Sequence, residues 1–272
     1  SKGEHKNAMR IFKGALLFAV AVGALVGLIV FLFAEFIAGN IMSLRLSAYA
    51  LRVLAPCLFV VAVMGVVRGY FQGMGTMVPT AVSQILEQIV NAIVSIVGAS
   101  YLLEMGKKVA ESKNEPSLPF AYGAAGGTLG TLTGAVFGLL FLLILLKLYY
   151  PTMKRRIVRD RSPIQEGYRE VYTALVLTIA PVILSTAIYN INDTIDQGIF
   201  SAIMLTQGHS EKQAAEFLGM FTGKYNTLIH IPLAVANALG SSLIPSLTAS
   251  VSNGTKQEIR SKISMVIRFA ML

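Results

Sequence analysis

The sequence predicts an all-α protein, a polytopic bundle of transmembrane helices, and two observations support this. Hydrophobic residues make up 54% of the 272 residues and charged residues only 14%, whereas soluble domains average about 45–50% and about 25%. The apolar residues are also gathered into long uninterrupted segments. This composition excludes a soluble enzyme, a disordered protein and a coiled coil.

Six apolar segments are long enough to cross a hydrocarbon core of about 30 Å at about 1.5 Å per residue. Continuous apolarity without strict alternation favours helices over barrel strands. A seventh apolar run begins at Ile263 and reaches the last residue, so we expect a fragment, cut at least at its C-terminal end. The six segments are 14–38, 51–71, 81–103, 121–148, 171–205 and 217–251.

The positive charges predict the orientation of the spans. The net charge is +9, which in a soluble protein would indicate nucleic-acid binding. Here thirteen Lys and Arg lie in connections on the side of the N-terminus and five on the opposite side. The positive-inside rule therefore places the N-terminal end and the loops 149–170 and 252–262 in the cytoplasm, and we expect no nucleic-acid partner.

The basic connection 149–170 divides the chain into two parts. We expect four spans within 1–148, an inter-lobe linker at 149–170, and two spans with the beginning of a third in 171–272. The linker is either a helix lying among anionic lipid headgroups or a solvated basic loop, and the sequence leaves both open.

Glycines at intervals of four predict close helix packing. Gly126, Gly130, Gly134 and Gly138 share one face of the fourth span. Glycine lets helix backbones approach closely in a membrane. Shorter series occur at Gly65, Gly69 and Gly73, at Gly23 and Gly27, and at Gly219 and Gly223.

Arg68 and Glu87 are charges inside the second and third spans at matching depths. Such charges are costly and usually face a partner or a cavity. They form a hairpin ion pair, or Arg68 binds an anionic headgroup while Glu87 positions it, and the two interpretations are compatible. A guanidinium suits phosphate because its donors match two oxygens at once.

Two further groups are candidate sites. Lys224 either snorkels to the outer surface or faces a cavity, and His230, near the midplane of the sixth span, faces a cavity or packs within the bundle. Asn190, Asp193 and Asp196 share a face at the end of the fifth span. Their oxygens suit a sodium or proton site, or they form a polar helix end in outer solvent.

No HExxH, Walker lysine loop or GxSxG motif occurs, so we expect no enzyme and no metal or organic cofactor. The stretch RGYFQGMGTMVPTAVSQILEQ at 68–88 and the stretch LGSSLIPSL at 239–247 resemble one known family. They are similar to stage V sporulation protein B-like members of the multidrug/oligosaccharidyl-lipid/polysaccharide exporter superfamily, which includes the MurJ-type lipid II flippases.

The resemblance implies a MATE/MurJ-like fold of two lobes and about fourteen helices that works by alternating access. It implies a multi-pass protein of the bacterial cytoplasmic membrane, monomeric at full length. The substrate would be an undecaprenyl-diphosphate-linked oligosaccharide or muropeptide, either lipid II or a polysaccharide repeat unit. Arg68 and Glu87 match the family motif and would line its cavity, and Lys224 lies in the helix where such flippases often carry a cavity cation. From its depth in the span we also expect His230 to line the cavity, with Na⁺, H⁺ or membrane-potential coupling and anionic lipids at the basic linker.

Three alternatives remain. A cation-coupled multidrug exporter of the MATE type would favour an acidic or aromatic pocket. A membrane-embedded glycan ligase or polymerase needs reactive groups in large outer loops, and the outer loops here are short. A structural scaffold gives no reason for charges such as Arg68 and Glu87 within spans.

Overall fold

The structure, a computed structural model, describes residues 5–160, 167–252 and 256–270. All regular elements among these residues are helices, which confirms the predicted all-α bundle. The α-helices in chain order are α1 (His5–Leu32), α2 (Ala34–Phe36), α3 (Ala48–Gly73), α4 (Val78–Lys113), α5 (Leu118–Arg159), α6 (Tyr168–Thr206), α7 (Glu211–Met220), α8 (Thr227–Ser252) and α9 (Lys256–Ala270).

Five helices of the described chain are long and apolar enough to cross a membrane, judged by length and composition. They correspond to the first five predicted segments. The sixth predicted segment covers the end of α7 and nearly all of α8, which a π-helical turn at Phe221–Asn226 joins into one helical path. Several side chains of α8 lie outside the described residues, so the sixth crossing stays a prediction.

The helices extend beyond the apolar segments into stretches predicted to be connections. Residues 104–113 belong to α4, because Lys and Glu are good helix formers even where they are too polar for the membrane core. Lys107 donates to Glu104 at 2.6 Å, one turn apart. Asn114 takes up a left-handed conformation with φ 53° and ends the helix.

The basic connection also begins as a helix, since α5 continues to Arg159 through Pro151. Met153 is buried, and Asp160 accepts a hydrogen bond of 2.7 Å from the backbone N of Lys6 at the start of α1. The first half of 149–170 is therefore not a solvated loop but an extension of α5 fastened to α1. Residues 161–166 of the predicted linker lie outside the described residues.

The predicted loop at 252–262 is shorter than expected as well. Helix α9 begins at Lys256, and residues 253–255 lie outside the described residues. The Lys262 ammonium donates to the Ser250 hydroxyl of α8 at 2.8 Å. Helix α9 therefore contacts the end of α8 directly.

The glycine series of α5 packs against α4, as predicted. The backbones of Gly126 and Gly98 touch at the helix crossing. A Cβ built on Gly134 would lie 2.6 Å from the carbonyl oxygen of Glu87, closer than real Cβ atoms approach a backbone oxygen. Hydrogen bonding adds to the contact, because the Ser95 hydroxyl donates to the Gly127 carbonyl at 2.7 Å.

The other glycine series divide into two groups. Gly23 and Gly27 of α1 pack against α3, where a Cβ on Gly27 would meet the Ala55 carbonyl oxygen at 2.9 Å. The remaining series have no described atom within 4 Å of a built Cβ, so their predicted packing is not found in the described part of the chain. These glycines are Gly65, Gly69 and Gly73 on α3, and Gly219 and Gly223 near the π-helical turn.

The best-packed core joins α1, α3 and α5. Its buried centre includes Met64 and Val67 of α3, with Leu142 of α5. The ring of Phe12 of α1 packs at a tilt against Tyr70 of α3, with ring centroids 4.7 Å apart. Because α4 lies against α5, the same packing holds the α3–α4 hairpin in place.

Gly134→Ala should destabilise the protein, because its methyl group would collide with the backbone of α4 at Glu87. Inserting a methyl group into a tight contact costs roughly 1–3 kcal/mol. Gly127→Ala is the matched control, since nothing lies within 4 Å of its built Cβ. Thermal unfolding in detergent should show a lower Tm for Gly134→Ala only, and equal Tm values would contradict the proposed backbone contact.

Candidate functional site

A short hairpin brings the two charged candidates together. Helix α3 ends at Gly73, and Gly75 takes up φ 85° in the turn, a left-handed conformation that glycine adopts without strain. Helix α4 begins at Val78 with a proline in its first turn. The antiparallel helices then place Arg68 opposite Glu87, as the matching depths predicted.

Arg68 and Glu87 form a close ion pair. The Nη2 group of Arg68 donates to Oε2 of Glu87 at 2.7 Å. The two side chains are only 15% and 19% exposed. Removing a charge from water is costly unless it is paired, so each side chain makes the position of the other tolerable within the span.

Ser83 is a third member of the site and was missed in the sequence. Its side chain is fully buried, and its hydroxyl accepts a hydrogen bond of 3.0 Å from Nε of Arg68. The same hydroxyl donates to the carbonyl oxygen of Thr80 at 2.8 Å. The spacing of Ser83 and Glu87, one helical turn apart within the quoted motif, was the signal that could have revealed it.

A second polar link lies one turn nearer the hairpin. The amide Nε2 of Gln72 donates to the Thr80 hydroxyl at 3.3 Å. Gln72 follows Arg68 by one helical turn, and Thr80 precedes Ser83 by about one turn. The two helices are therefore joined by a polar ladder rather than by one ion pair alone.

The glycine series of α5 packs against the backbone of the α4 residues that form this polar ladder. A Cβ on Gly138 would lie 3.4 Å from the Ser83 carbonyl oxygen and 3.6 Å from Cβ of Glu87. Gly134 likewise borders the Glu87 backbone. Larger side chains at these positions would push α4 and its acceptors out of place.

The contacts of this site engage only part of the Arg68 guanidinium. A guanidinium carries five N–H donors, and within the described chain the Arg68 side chain donates from Nε and Nη2. The Nη1 group and one N–H of Nη2 thus have no partner among the described residues. Donors of this kind can match the oxygens of a phosphate or carboxylate.

Lys224 and His230 lie elsewhere in the fold. Lys224 is in the π-helical turn and His230 is in α8, and both are exposed. No hydrogen bond or ion pair among the described residues joins either of them to Arg68 or Glu87. Their role in a common cavity stays a prediction.

The predicted coupling face on α6 is also exposed. Asn190 donates its side-chain amide to the Thr186 carbonyl of its own helix at 2.8 Å, and Asp196 is exposed. The side chain of Asp193 lies outside the described residues. No group of three or more His, Cys, Asp or Glu that could hold a metal occurs in the described ranges, and the ion-site interpretation stays a prediction.

Comparison with known proteins extends over nearly the whole chain. The model of the family described as "Polysaccharide biosynthesis protein" matches residues 3–251. The lipid II flippase MurJ of Bacillus subtilis strain 168 is 28% identical over 276 residues, covering 98% of this chain and 49% of that protein. Stage V sporulation protein B of the same organism is 25% identical, covering 100% of this chain and 49% of that protein.

A third relative, the uncharacterized membrane protein YabM of Bacillus subtilis strain 168, is 24% identical, covering 98% of this chain and 47% of that protein. The chain spans about half the length of the curated relatives it matches. No solved structure gives a significant match.

Together with the apolar helices, these relatives define the class as a multi-pass membrane protein. The chain belongs to the polysaccharide biosynthesis protein family, whose model covers most of its length. The resemblance inferred from residues 68–88 and 239–247 is thereby confirmed.

Glu87→Gln should lower the stability of the protein, because it leaves the Arg68 charge largely buried without a counter-charge. Breaking a buried ion pair by removing one of the two charges costs about 3–5 kcal/mol. Glu35→Gln is the control: Glu35 pairs with Arg52 at 2.8 Å but is 75% exposed, and exposed pairs contribute about 0–1 kcal/mol. The two variants are compared by their Tm values in detergent. An equal decrease in Tm would contradict the idea that the Arg68–Glu87 pair contributes more because it is buried.

Proposed function

We propose that this chain is part of a flippase that moves a lipid-linked precursor of a cell-surface polysaccharide or of the cell wall across the membrane. The observation that carries the proposal is the Arg68 guanidinium, which is held within a membrane span with two adjacent donor groups left for an anion. The two named relatives, a lipid II flippase and a sporulation protein, align along almost the whole chain.

The proposed substrate is an undecaprenyl-diphosphate-linked sugar or muropeptide. A diphosphate offers several oxygens to a planar fork of N–H donors, and hydrogen bonds between charged groups are about twice as strong as neutral ones. Glu87 lowers the cost of keeping Arg68 charged within the bilayer without using all of its donors. Lys224 and His230 add positive or polar groups to the same cavity in this proposal.

The proposed mechanism is alternating access by two lobes. Residues 1–148 belong to one lobe, residues 171–272 begin the other, and the segment 149–170 links them. The attachment of Asp160 to the start of α1 supports a linker whose first half moves with the first lobe. Cytoplasmic placement of this linker in the bacterial cytoplasmic membrane, among anionic lipids, is part of the proposal.

The energy source in this proposal is Na⁺, H⁺ or the membrane potential. Asn190, Asp193 and Asp196 are the candidate coupling residues, because amide and carboxylate oxygens suit a hard cation or a proton. The complete protein is proposed to act as a monomer.

Arg68→Ala and Lys224→Ala in the complete protein that contains this chain should reduce translocation of a fluorescent undecaprenyl-diphosphate-linked muropeptide in proteoliposomes. We expect a loss of about 10- to 150-fold for Arg68→Ala, since a charged hydrogen bond contributes about 1.5–3 kcal/mol. Arg52→Ala is the control, because this arginine pairs with Glu35 at an exposed position. Arg68→Lys keeps the positive charge but lacks the planar set of N–H donors of a guanidinium. It therefore separates a loss of folding from a loss of diphosphate recognition.

Wild-type translocation in both Arg68→Ala and Arg68→Lys would overturn the role of this arginine. Complementation of a bacterial strain depleted of its lipid II flippase provides a second readout of the same variants.

The diphosphate should decide substrate choice at this site. Proteoliposomes containing the wild-type protein should translocate the diphosphate-linked probe faster than a probe in which a neutral linkage replaces the diphosphate, with the same lipid and sugar. We expect the preference to shrink in Arg68→Ala, because the fork that recognises the oxygens is gone. Equal rates for both probes in the wild type would contradict diphosphate recognition.

A further inference from the structure

We propose that Ser83 is a positioning residue that aims the Arg68 guanidinium at the substrate. This inference rests on the proposed function, because it assigns Ser83 a role in the anion site formed by Arg68. It concerns a residue that carries no charge and is fully buried behind the ion pair.

The Ser83 hydroxyl is fixed at both of its ends. Its proton goes to the Thr80 carbonyl oxygen at 2.8 Å, so its lone pairs are left to face Arg68. One of them accepts from Nε of Arg68 at 3.0 Å. Because the single hydrogen of the hydroxyl is already used in the bond to Thr80, the hydroxyl can only accept a hydrogen bond from the guanidinium. The orientation of the hydroxyl group is therefore fixed.

Hydrogen bonds at two different nitrogen atoms fix the direction in which the planar guanidinium of Arg68 points. Nε of Arg68 is held by Ser83 and Nη2 is held by Glu87 at 2.7 Å. Both contacts involve the edge of the guanidinium that carries Nε and Nη2. The Nη1 group and the remaining N–H of Nη2 are left for a ligand in this proposal.

Without the Ser83 hydroxyl, Glu87 would be free to take both donors of an edge. Arginine and carboxylate favour a two-bond, fork-to-fork pair. A guanidinium released from Ser83 would turn toward such a pair with Glu87, and its remaining donors would point in a different direction. Ser83 therefore fixes the direction in which the remaining donors of Arg68 point, while Glu87 keeps the charge paired within the span.

The packing around Ser83 explains why a small side chain is needed. Gly138 of α5 lies against its carbonyl oxygen, and the Ser83 side chain has no exposed surface. Helix α5 thus borders the Ser83 backbone, and a longer side chain at this fully buried position would have to displace its neighbours.

The test is a double-mutant cycle on translocation of the diphosphate-linked muropeptide by the complete protein in proteoliposomes. Ser83→Ala is measured in the wild type and in Arg68→Lys, with the lipid probe varied in mole fraction. We expect Ser83→Ala to raise the apparent KM for the probe about tenfold with a smaller change in the maximal rate, since it weakens hydrogen bonds to a charged group. In Arg68→Lys there is no guanidinium for Ser83 to orient, so Ser83→Ala should change the apparent KM little further.

Ser100→Ala is the matched control, because Ser100 lies on the same helix, is exposed, and donates only to the Ile96 carbonyl one turn before it. It should leave the KM unchanged. An equal KM increase from Ser83→Ala in the wild type and in Arg68→Lys would overturn the inference, because Ser83 would then act independently of the guanidinium.

Different results would overturn the role of Ser83 and the anion site formed by Arg68. A wild-type KM in Ser83→Ala, together with impaired Arg68→Lys, overturns the role of Ser83 and leaves the anion site standing. Wild-type kinetics in Arg68→Lys and Arg68→Ala overturn both.

Discussion

The close approach of α4 and α5 is the constraint on which the rest of the structure depends. In a membrane no hydrophobic force drives helices together, so contact relies on small residues and hydrogen bonds. Here glycines of α5 let backbone meet backbone at Gly98 and Glu87, and Ser95 adds a hydrogen bond across the interface. The position of α4 in turn determines where the acceptors for Arg68 lie.

The ion pair of Arg68 thus depends on the glycine packing between α4 and α5. Gly134 and Gly138 border the backbone of the helical turn that carries Ser83 and Glu87, and those two side chains hold Arg68. A charged arginine inside a span is tolerated because its partners are already in position, which reduces the cost of ordering them. The remaining donors of the guanidinium have no partner among the described residues.

The sequence predicted the class of fold, the first five membrane segments and the Arg68–Glu87 pair, because each leaves a strong local pattern. Apolar runs report spans, and matching depths on two sides of a short turn report a hairpin contact. It did not predict how far the helices continue, since Lys-rich and Glu-rich stretches such as 104–113 are favourable helix formers outside the membrane. It also missed Ser83, because a buried serine has no distinctive pattern until its partners are known.

By itself, the sequence determined the all-α membrane class, the family and the presence of paired charges within spans, since these follow from composition, periodicity and motif. Only the tertiary structure decided which glycine series pack: those of α1 and α5 do, whereas no described atom lies near a Cβ built on Gly65, Gly69 or Gly73. It also decided which donors of Arg68 are occupied. Both outcomes depend on the relative rotation of neighbouring helices, which many residues set together and no local segment encodes.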